Sequence, residues 1–470
     1  MTISPQTIVR LKEAVGPKGF SQDPAEIAPH LVEWRSKYQG HTPLLLKPAN
    51  TAEVSAILAI CNQTRTPVVP QGGNTGLVGG QIPLNGEILL NLTRMNAIRK
   101  VDGDGMHLIV EAGAILANIQ ATADGADMYF PLSLASEGSC TIGGNLSTNA
   151  GGVNVLRYGN ARDLVLGLEV VLADGKVLDL LRTLRKDNTG YDLKHLFVGA
   201  EGTLGIITAA ALKLFPKPRS RATAFVAVRD PAAAVSLLGR LQNETGGLIS
   251  AFELIPRIGL EFVLAHISNT KDPLSEPAPW YVLVEAASAG RTALTDALQD
   301  GIARTIADGL AADAAVAANE AQRAALWRLR ESLSEAQKYE GGSIKHDIAV
   351  PVKDIPAFLA QACATIEEIV PGTRPVPFGH LGDGNIHFNL TVPKSAQSES
   401  FLARWAEISR AVHDLVWDFG GSISAEHGLG YMKRDEILHY KSDVEMDAMR
   451  AIKRTFDPNN ILNPGKVVLP

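Results

Sequence analysis

Residues 70–80 read PQGGNTGLVGG, and residues 137–159 read EGSCTIGGNLSTNAGGVNVLRYG. Both stretches combine many glycines with short polar side chains, and the first follows a short apolar run typical of a buried strand. Glycine lets a chain turn at positive φ and bring successive backbone N–H groups close to an anion. A tight surface turn would explain one such stretch. Two of them, with EGTLGIIT at 201–208, favour a cradle for a large phosphate-bearing cofactor.

The two common nucleotide motifs are absent from the sequence. The chain contains neither a complete GxGxxG, the Rossmann dinucleotide fingerprint, nor a GxxxxGK[ST] phosphate loop. The cradle is therefore predicted to belong to another dinucleotide-binding architecture.

Size and composition bound the class of protein. A chain of 470 residues is too long for one hydrophobic core, so two or three domains are expected. Hydrophobic residues make up 46% and charged residues 20%, which is ordinary for a globular protein. The net charge of -6, without a basic run, argues against a nucleic-acid partner.

Three cysteines, Cys61, Cys140 and Cys363, are too few and too far apart for a disulfide framework or an iron–sulfur cluster. Charged residues interrupt the N-terminal stretch where a secretory signal would need an apolar core. No run approaches the roughly 20 apolar residues of a membrane-spanning helix. The expected location is the cytoplasm, with peripheral contact to the inner face of the membrane left open.

The first third of the chain reads as short β/α units. A helix is predicted from Ala52 to Gln63, with Thr51 as its N-cap, and a strand from Pro67 to Pro70. The segments ILLNL, HLIVEAG, VLGLEVVLADGKVLDL and GIITAAALKLFP read as strands, and the pair Asp174-Gly175 predicts a hairpin turn.

The pattern changes near FPKPRSRA, around residues 215–221. Beyond it, strands and helices, including helices over about 291–311 and 319–339, predict an antiparallel-sheet α+β domain. The predicted organisation is an N-terminal segment (1–36), a cofactor domain (37–217), a substrate and metal domain (218–430), and a C-terminal helix and tail packing on the cofactor domain (431–470).

A candidate metal site lies in PFGHLGDGNIHFNL and ISAEHGLG. His380 and His387 stand seven apart around a glycine-containing turn, and Glu426 and His427 follow. Two imidazoles and a carboxylate can supply three ligands and leave a fourth position open, as in catalytic zinc sites. The same set suits non-haem Fe(II) or Mn, and a histidine on a strand is often only a hydrogen-bonded core residue.

Several motifs together resemble one superfamily. These are the two glycine-rich stretches, RYG, VLGLEVVLADG, DNTGYDLKHLFVGAEGTLGIIT and the closing NPGK. They resemble the vanillyl-alcohol-oxidase/PCMH-type flavoproteins and, within them, the FAD-dependent D-2-hydroxyacid dehydrogenases of the D-2-hydroxyglutarate and D-lactate group, from about residue 40 to the C-terminus. The resemblance implies an α+β protein: a PCMH-type FAD-binding domain, an antiparallel-sheet α+β cap domain and a C-terminal helical return.

The resemblance implies that FAD lies along the glycine-rich stretches, EGTLGIIT and the tail. The implied cofactor residues are Pro70, Gly72, Gly73, Asn74, Thr75, Gly76, Leu77, Pro131, Leu134, Gly138, Ser139, Cys140, Ile142, Gly143, Gly144, Asn145, Ser147, Thr148, Asn149, Gly151, Gly152, Glu201, Gly202, Gly205, Ile206, Ile207 and Asn463. Some superfamily members bind flavin covalently through His or Cys. The first loop has no His and Cys140 is the nearby thiol, so non-covalent FAD is expected.

The resemblance also implies that His380, His387 and Glu426 bind the metal, and that Asn389 and His427 contact substrate. Zinc is preferred because the flavin already supplies the redox function, so the metal need only act as a Lewis acid. His427 is interpreted as the general base, since an ordinary histidine titrates near neutrality. The rival interpretation is that His427 orients another group. Asp383 is either a partner of the histidines or a turn residue.

Three further residues in LRESLSEAQKYEGGSIKHD are implied to hold substrate carboxylate. Arg330 offers a planar fork and Lys345 a point charge. Ser334 stands four residues after Arg330, where the family has Thr or Ser, so both are expected on one helix face. An exposed charged helix is the alternative reading.

The function implied is oxidation of a D-2-hydroxy acid to its 2-oxo acid by hydride transfer to flavin N5, with D-2-hydroxyglutarate preferred and D-malate or D-lactate as alternatives. A flavin-binding subunit of a glycolate-oxidising complex and an O₂-using oxidase are the rival readings. The electron acceptor implied is an electron-transfer flavoprotein, a quinone or a cytochrome. The resemblance also allows a homodimer, which no motif of the sequence indicates.

Overall fold

The computed structural model describes residues 3–290 and 293–469. Contacts divide the chain into two compact units. The first comprises Gly159–Lys217 and the described parts of Met1–Gly152 and Glu426–Pro470. The second comprises Pro218–Ala425, apart from the undescribed positions, together with Val153–Tyr158. The segment 426–430, at the end of the predicted substrate domain, thus groups with the first unit.

The strands are β1 (Phe20–Ser21), β2 (Leu45–Leu46), β3 (Val68–Gln71), β4 (Ile88–Asn91), β5 (Ile98–Asp102), β6 (His107–Glu111), β7 (Met128–Tyr129), β8 (Val165–Val171), β9 (Val177–Leu180), β10 (Ile206–Lys213), β11 (Phe215–Pro216), β12 (Ser220–Val228), β13 (Ile249–Pro256), β14 (Trp280–Ser288), β15 (Ala311–Val316), β16 (Ser343–Ile344), β17 (Asp347–Ala349), β18 (Arg374–His380) and β19 (Asn385–Thr391).

The α-helices are α1 (Pro5–Val15), α2 (Pro24–Ile27), α3 (Thr51–Thr64), α4 (Leu116–Gly125), α5 (Ile142–Ser147), α6 (Val155–Tyr158), α7 (Ala161–Leu164), α8 (Lys194–Phe197), α9 (Pro231–Glu244), α10 (Arg257–His266), α11 (Leu294–Ala307), α12 (Glu320–Glu331), α13 (Leu333–Ala336), α14 (Ile355–Ile369), α15 (Ser398–Ala403), α16 (Trp405–Asp418) and α17 (Asp443–Phe456).

The first unit contains two main sheets. One has the order β1-β2-β4-β3, in which β4 runs parallel to both β2 and β3. The other has the order β5-β6-β10-β8-β9 and is antiparallel. The hairpin predicted at Asp174-Gly175 joins β8 to β9, and Gly175 takes the positive φ of 86° that the turn requires.

The predicted N-cap of α3 is wrong by one residue. Asn50, not Thr51, caps the helix, because its side chain accepts a hydrogen bond from the Glu53 backbone N–H at 3.0 Å. Thr51 is the first helical residue, and its hydroxyl donates to Glu169 at 2.6 Å. Asparagine is as good an N-cap as threonine, so the sequence alone left the choice open.

The second unit contains an antiparallel sheet with the strand order β15-β12-β14-β13-β18-β19-β16, and β17 also pairs with β19. One face of this sheet buries an apolar cluster that includes Phe225, Leu283, Val376 and Phe378. Leucines and Trp327 from α10, α12 and α13 complete the cluster. Helix α6 joins this unit because the Arg157 guanidinium donates to the Ala287 carbonyl and α6 packs on β13.

The long helix predicted over 319–339 is interrupted. Helix α12 ends at Glu331, Ser332 caps it, and α13 begins at Leu333. The other predicted helix, 291–311, has its first two positions outside the described residues, and its described part forms α11 and the start of β15.

The C-terminal segment packs within the first unit. The buried Lys453 ammonium on α17 donates to Asp457 at 2.5 Å and to the carbonyls of Thr203 and Leu462 at 2.9 and 2.8 Å. Phe456 packs edge-on against Phe197, with ring centroids 5.4 Å apart. The segment after α17 is thereby held beside β3, where Asn463 N–H donates to the Val68 carbonyl.

Within the described residues, no helix is both long and apolar enough to cross a membrane.

Candidate active site

The glycine-rich segments of the first unit converge. A Cβ on Gly73 would lie 2.0 Å from the Ser139 carbonyl oxygen, and a Cβ on Gly202 would lie 2.4 Å from the Pro70 ring. The Glu201 backbone N–H donates to the Ser147 carbonyl at 2.8 Å. The segments around residues 70–80, 139–152 and 201–205 are thus packed backbone to backbone, at distances only glycine permits.

The C-terminal tail also contacts these glycine-rich segments, through Asn463. Asn463 is buried, and its side-chain Nδ2 donates to the carbonyls of Gly80 and Glu201 at 2.9 and 2.8 Å. Among residues 3–290 and 293–469, the buried oxygens Thr141 Oγ1 and Asn463 Oδ1 find no hydrogen-bond partner. Buried polar atoms are normally satisfied, so two orphaned ones beside a glycine-lined backbone fit a bound polar cofactor such as FAD.

Some of the predicted cofactor residues also shape the cradle through contacts within the protein. The Asn74 amide donates to the carbonyls of Pro29 and Val32 at 3.2 and 3.0 Å. Asn149 Oδ1 accepts from the Arg162 backbone N–H at 3.0 Å. Gly205 lies against the core, where a Cβ would meet Val170 at 2.6 Å.

Other predicted residues lie on elements bordering the same segments. Ser133, between Pro131 and Leu134, forms a β-bridge with Gly152. Ile206 and Ile207 begin β10 and are buried.

Glu201 anchors the stretch that follows Glu426 and His427. Its buried carboxylate accepts from the backbone N–H of Leu429 at 2.8 Å and of Gly430 at 3.0 Å. Burial raises the pKa of Glu201, and these two N–H groups act in the opposite direction. The Glu426 carboxylate accepts from the Gly152 N–H at 2.5 Å, so this stretch is tied to the glycine-rich segment.

In the second unit, the hairpin formed by β18 and β19 carries both candidate histidine ligands. His380 ends β18 and His387 lies on β19, with ring centroids 5.5 Å apart. Gly384, with φ of 92°, permits the turn between the strands. Asp383 Oδ1 accepts from the Asn385 N–H at 3.1 Å, so Asp383 shapes the turn.

The predicted ligand set is brought together. One ligand atom each from His380, His387 and Glu426 lie within 4.8 Å of one another. Glu426 directly follows Ala425, whose N–H bonds to the Asp347 carbonyl on β17, beside the hairpin. Two imidazoles and one carboxylate at this spacing have the chemistry of a divalent-cation site.

Glu253 is a site residue that the sequence analysis missed. It lies on β13 directly opposite His380, and its Oε1 is 2.6 Å from His380 Nδ1. Its Oε2 accepts from Arg330 Nε at 2.7 Å. Burial alone would raise the pKa of Glu253, but the charges of His380 and Arg330 and their hydrogen bonds bring it down to about 2.

His387 has a carboxylate opposite it as well. Asp347 on β17 pairs in register with His387, with 3.8 Å between Asp347 Oδ1 and His387 Nδ1. Asn385 Nδ2 donates to the same oxygen at 3.0 Å. Carboxylates behind histidine ligands are a recurrent feature of metal sites, but cross-strand partners cannot be read from one sequence.

Arg330, in the last turn of α12, is buried beside this hairpin. Its guanidinium carbon lies 4.9 Å from the centroid of the Phe378 ring. Asn389 on β19 is also buried, and its Nδ2 donates to Gln337 Oε1 at 3.0 Å. Gln337 in turn donates to Thr391 Oγ1 at 2.8 Å, which fixes the orientation of the Asn389 amide.

The shared helix face predicted for Arg330 and Ser334 is wrong. The break at Ser332 places them on different helices, and Ser334 is exposed while Arg330 is buried. Lys345, between β16 and β17, is half-buried, as is His427 in the turn after Glu426.

Two protein-family models match this chain. Residues 42–181 match the model of an FAD binding domain, and residues 217–467 match that of the C-terminal domain of FAD linked oxidases. This chain belongs to the FAD-linked oxidase family.

Relatives of this FAD-linked oxidase cover most of its length. It is 41% identical over 463 residues to a probable D-2-hydroxyglutarate dehydrogenase, mitochondrial, of Oryza sativa subsp. indica, spanning 97% of this chain and 80% of the relative. It is 35% identical over 461 residues to a D-2-hydroxyglutarate dehydrogenase of Xanthomonas citri pv. viticola, spanning 98% and 96%. The chain is therefore a member of this group of FAD-dependent dehydrogenases.

Solved structures show the fold of this FAD-linked oxidase. p-Cresol methylhydroxylase with substrate bound superposes with a TM-score of 0.77 at 18% identity, covering 99% of this chain and 96% of that one. An alkyldihydroxyacetonephosphate synthase gives 0.75 at 17% identity, covering 98% and 86%. The predicted α+β architecture, a PCMH-type FAD-binding domain with an antiparallel-sheet α+β domain and a C-terminal return, is confirmed.

Replacing Gly73 by Ala should release the flavin from this FAD-linked oxidase. The added Cβ would meet the Ser139 carbonyl at 2.0 Å, so one backbone segment must move. Overpacking of this kind costs about 1–3 kcal/mol, which corresponds to a roughly 5- to 150-fold loss of flavin affinity if the cost falls on the flavin-bound state. The flavin-to-protein absorbance ratio measures it. Gly125→Ala is the control, since nothing lies within 4 Å of its Cβ position. Equal flavin content in both variants would refute the packing argument.

Proposed function

We propose that this FAD-linked oxidase oxidises a D-2-hydroxy acid to the 2-oxo acid, with D-2-hydroxyglutarate as the preferred substrate and D-malate and D-lactate as weaker ones. The observation that carries the proposal is the grouping of His380, His387 and Glu426. Arg330 is bound to the same carboxylate as His380. The relatives named D-2-hydroxyglutarate dehydrogenase support the choice of substrate.

We infer that the metal held by His380, His387 and Glu426 is Zn²⁺. A bound divalent cation would supply Lewis acidity to the substrate's hydroxyl group, and bound FAD would supply the hydride acceptor. Neutral imidazole and carboxylate are good zinc ligands. His380 suits this role because the Glu253 carboxylate at its Nδ1 holds the ring in one orientation, as partners of histidine ligands do.

His427 is proposed as the general base that accepts the C2 hydroxyl proton. An imidazole ring can accept a proton and later release it, which suits a histidine to general-base catalysis. Its neighbour Glu426 is tied to Gly152, and Leu429 and Gly430 are tied to Glu201. These bonds hold the short stretch that carries the base.

Arg330 and Lys345 are proposed to bind the substrate carboxylates. The Arg330 Nε–H donates to Glu253. The outer N–H groups of the guanidinium would form the bidentate contact with a substrate carboxylate. The amide of Asn389 is fixed by Gln337 and would add a directed hydrogen bond. Ser334, at the start of the next helix, would contribute a hydroxyl. Two cationic groups suit a dicarboxylate better than a monocarboxylate.

FAD is proposed to be bound without a covalent link. Cys140 is the thiol of the cradle segment, and burial raises its pKa, so it is a poor nucleophile at neutral pH.

Acid precipitation of the holoprotein should leave the yellow chromophore in the supernatant, because no bond would join flavin to protein. Absorbance of the pellet and supernatant after precipitation measures the distribution. Flavin retained by the denatured protein would contradict the proposal, and loss of that retention in Cys140→Ser would then identify the attachment point.

D-2-Hydroxyglutarate should bleach the flavin anaerobically faster than D-malate or D-lactate, and L enantiomers should not bleach it. The reason is that Arg330 and Lys345 supply one cation for each carboxylate and fix the face of C2. Stopped-flow absorbance of the flavin measures the reduction rate. Equal rates for D and L acids would refute the stereochemical proposal. Peroxide formed at the turnover rate in air would indicate an oxidase instead.

Chelation of the holoprotein with EDTA should abolish flavin reduction, and added Zn²⁺ should restore it, because the Lewis acid would be lost and returned.

His427→Ala should retain zinc and FAD yet reduce the flavin about 10²–10⁴-fold more slowly, the usual contribution of a general base. Zinc content and flavin content, measured with the rate, separate the two effects. Normal reduction by metal-free protein would contradict the metal role, and a wild-type rate for His427→Ala would contradict the base.

We infer a cytoplasmic location and an electron-transfer flavoprotein, quinone or cytochrome as acceptor. The three cysteines are free thiols, as expected in a reducing compartment. Cell fractionation and turnover with each acceptor class test these two points, and sedimentation of the holoprotein tests for a homodimer.

A further inference from the structure

Glu253 stands out among the buried charged groups of the second unit because it contacts two proposed functional residues. It is fully buried, and each of its two oxygens is committed to a different partner. Oε1 lies 2.6 Å from His380 Nδ1, and Oε2 accepts from Arg330 Nε at 2.7 Å. Both distances are short, as is typical of hydrogen bonds in which a partner is charged.

The sheet register explains why this contact is specific. Glu253 pairs with Leu283 on one side and with His380 on the other. Leu283 pairs in turn with Phe225. Directly paired side chains in antiparallel strands share a face and lie about 4.5–5.5 Å apart at Cβ. Phe225, Leu283 and Glu253 therefore lie side by side across three strands, with the first two in the apolar core. The carboxylate of Glu253 is shielded from water and, among the described charged residues, forms ion pairs only with His380 and Arg330.

Contact with Glu253 fixes the tautomer of His380. A carboxylate accepts a hydrogen bond and cannot donate one, so Nδ1 must carry the proton facing it. In the neutral imidazole Nε2 then carries the lone pair, and this tautomer can bind a divalent cation. A carboxylate behind a histidine ligand also makes the imidazole more basic and holds the ring in one orientation.

The second oxygen restricts Arg330. An arginine side chain has many rotamers, and holding it ready for a carboxylate costs conformational entropy. The bond from Nε to Glu253 and the Phe378 ring 4.9 Å from the guanidinium carbon limit those rotamers before substrate binds. The outer N–H groups are left for a ligand, as bidentate carboxylate recognition requires.

We propose that Glu253 is a positioning residue that sets His380 for metal binding and Arg330 for substrate-carboxylate binding at the same time. The inference rests on the proposed function of the site. Its consequence is that the affinity for the cation and the affinity for the hydroxy acid both depend on one buried side chain that touches neither ligand.

The test is Glu253→Gln in the holoprotein. In glutamine an NH₂ group replaces one of the two carboxylate oxygens, so a donor opposes either His380 Nδ1–H or Arg330 Nε–H. Zn²⁺ affinity, measured by competition with a chelator of known affinity, should fall about 10–100-fold, the usual effect of losing such a partner. With zinc saturating, KM for D-2-hydroxyglutarate should rise roughly tenfold, as expected from loss of a charge-assisted hydrogen bond.

Glu285→Gln is the matched control. Glu285 is also buried, lies on the neighbouring strand β14, and bonds to Arg323 and Trp327 on α12 at 2.6 and 2.9 Å. Among the described residues, Glu285 forms no hydrogen bond with His380 or Arg330, so this variant should lose stability without losing zinc affinity. Thermal unfolding of both variants measures the structural cost. Equal zinc affinities in Glu253→Gln and wild type, or equal losses in both variants, would overturn the inference.

Glu253→Asp is a second variant that tests the same inference if Glu253→Gln does not fold. It keeps the charge but is one methylene shorter, so it cannot reach both partners, and either zinc affinity or KM should still change. Wild-type values for both would overturn the inference. If wild-type protein itself binds no zinc, the proposed metal-dependent function and the His380 half of the inference fail together. The KM comparison then still decides the role of Glu253 toward Arg330.

Discussion

Antiparallel pairing of β13 with β18, and of β18 and β17 with β19, determines which side chains meet on the second unit's sheet. Because the pairing register is fixed, His380 faces Glu253, and His387 faces both Phe378 and Asp347. A shift by one residue would turn each of these side chains to the opposite face. The proposed metal site therefore depends on register before it depends on the ligands themselves.

The pairing register matters for stability because it places a buried carboxylate, Glu253, beside its partners. A carboxylate removed from water is costly unless its charge is met by hydrogen-bond donors, so Glu253 requires both His380 and Arg330. Glu285 shows the same requirement on the next strand, where Arg323 and Trp327 meet it. Helix α12 supplies a cation to each of these buried acids, which ties its orientation to the sheet. Stability and positioning are thus produced by the same contacts.

The first unit follows a different principle. Its glycine-rich segments approach each other at distances that leave no space for a Cβ, and backbone carbonyl and N–H groups bond between them. Glu201 and Asn463 reinforce this arrangement by bonding to backbone groups of distant segments. A surface built from backbone atoms suits a large cofactor, because N–H groups can be directed at phosphate without charged side chains.

The sequence itself predicted an FAD-binding part and a second α+β part, because glycine-rich motifs and the change of pattern near residue 217 are local features. It also offered His380, His387 and Glu426 as candidate metal ligands. It did not determine the N-cap of α3, where Asn50 and Thr51 are both residue types that cap helices, nor the break of the helix at Ser332. It also gave no sign of Glu253, which is 127 positions from His380, or of Gln337, 52 positions from Asn389. These partners meet only through strand pairing and helix packing, and one sequence does not record which distant residues will be neighbours.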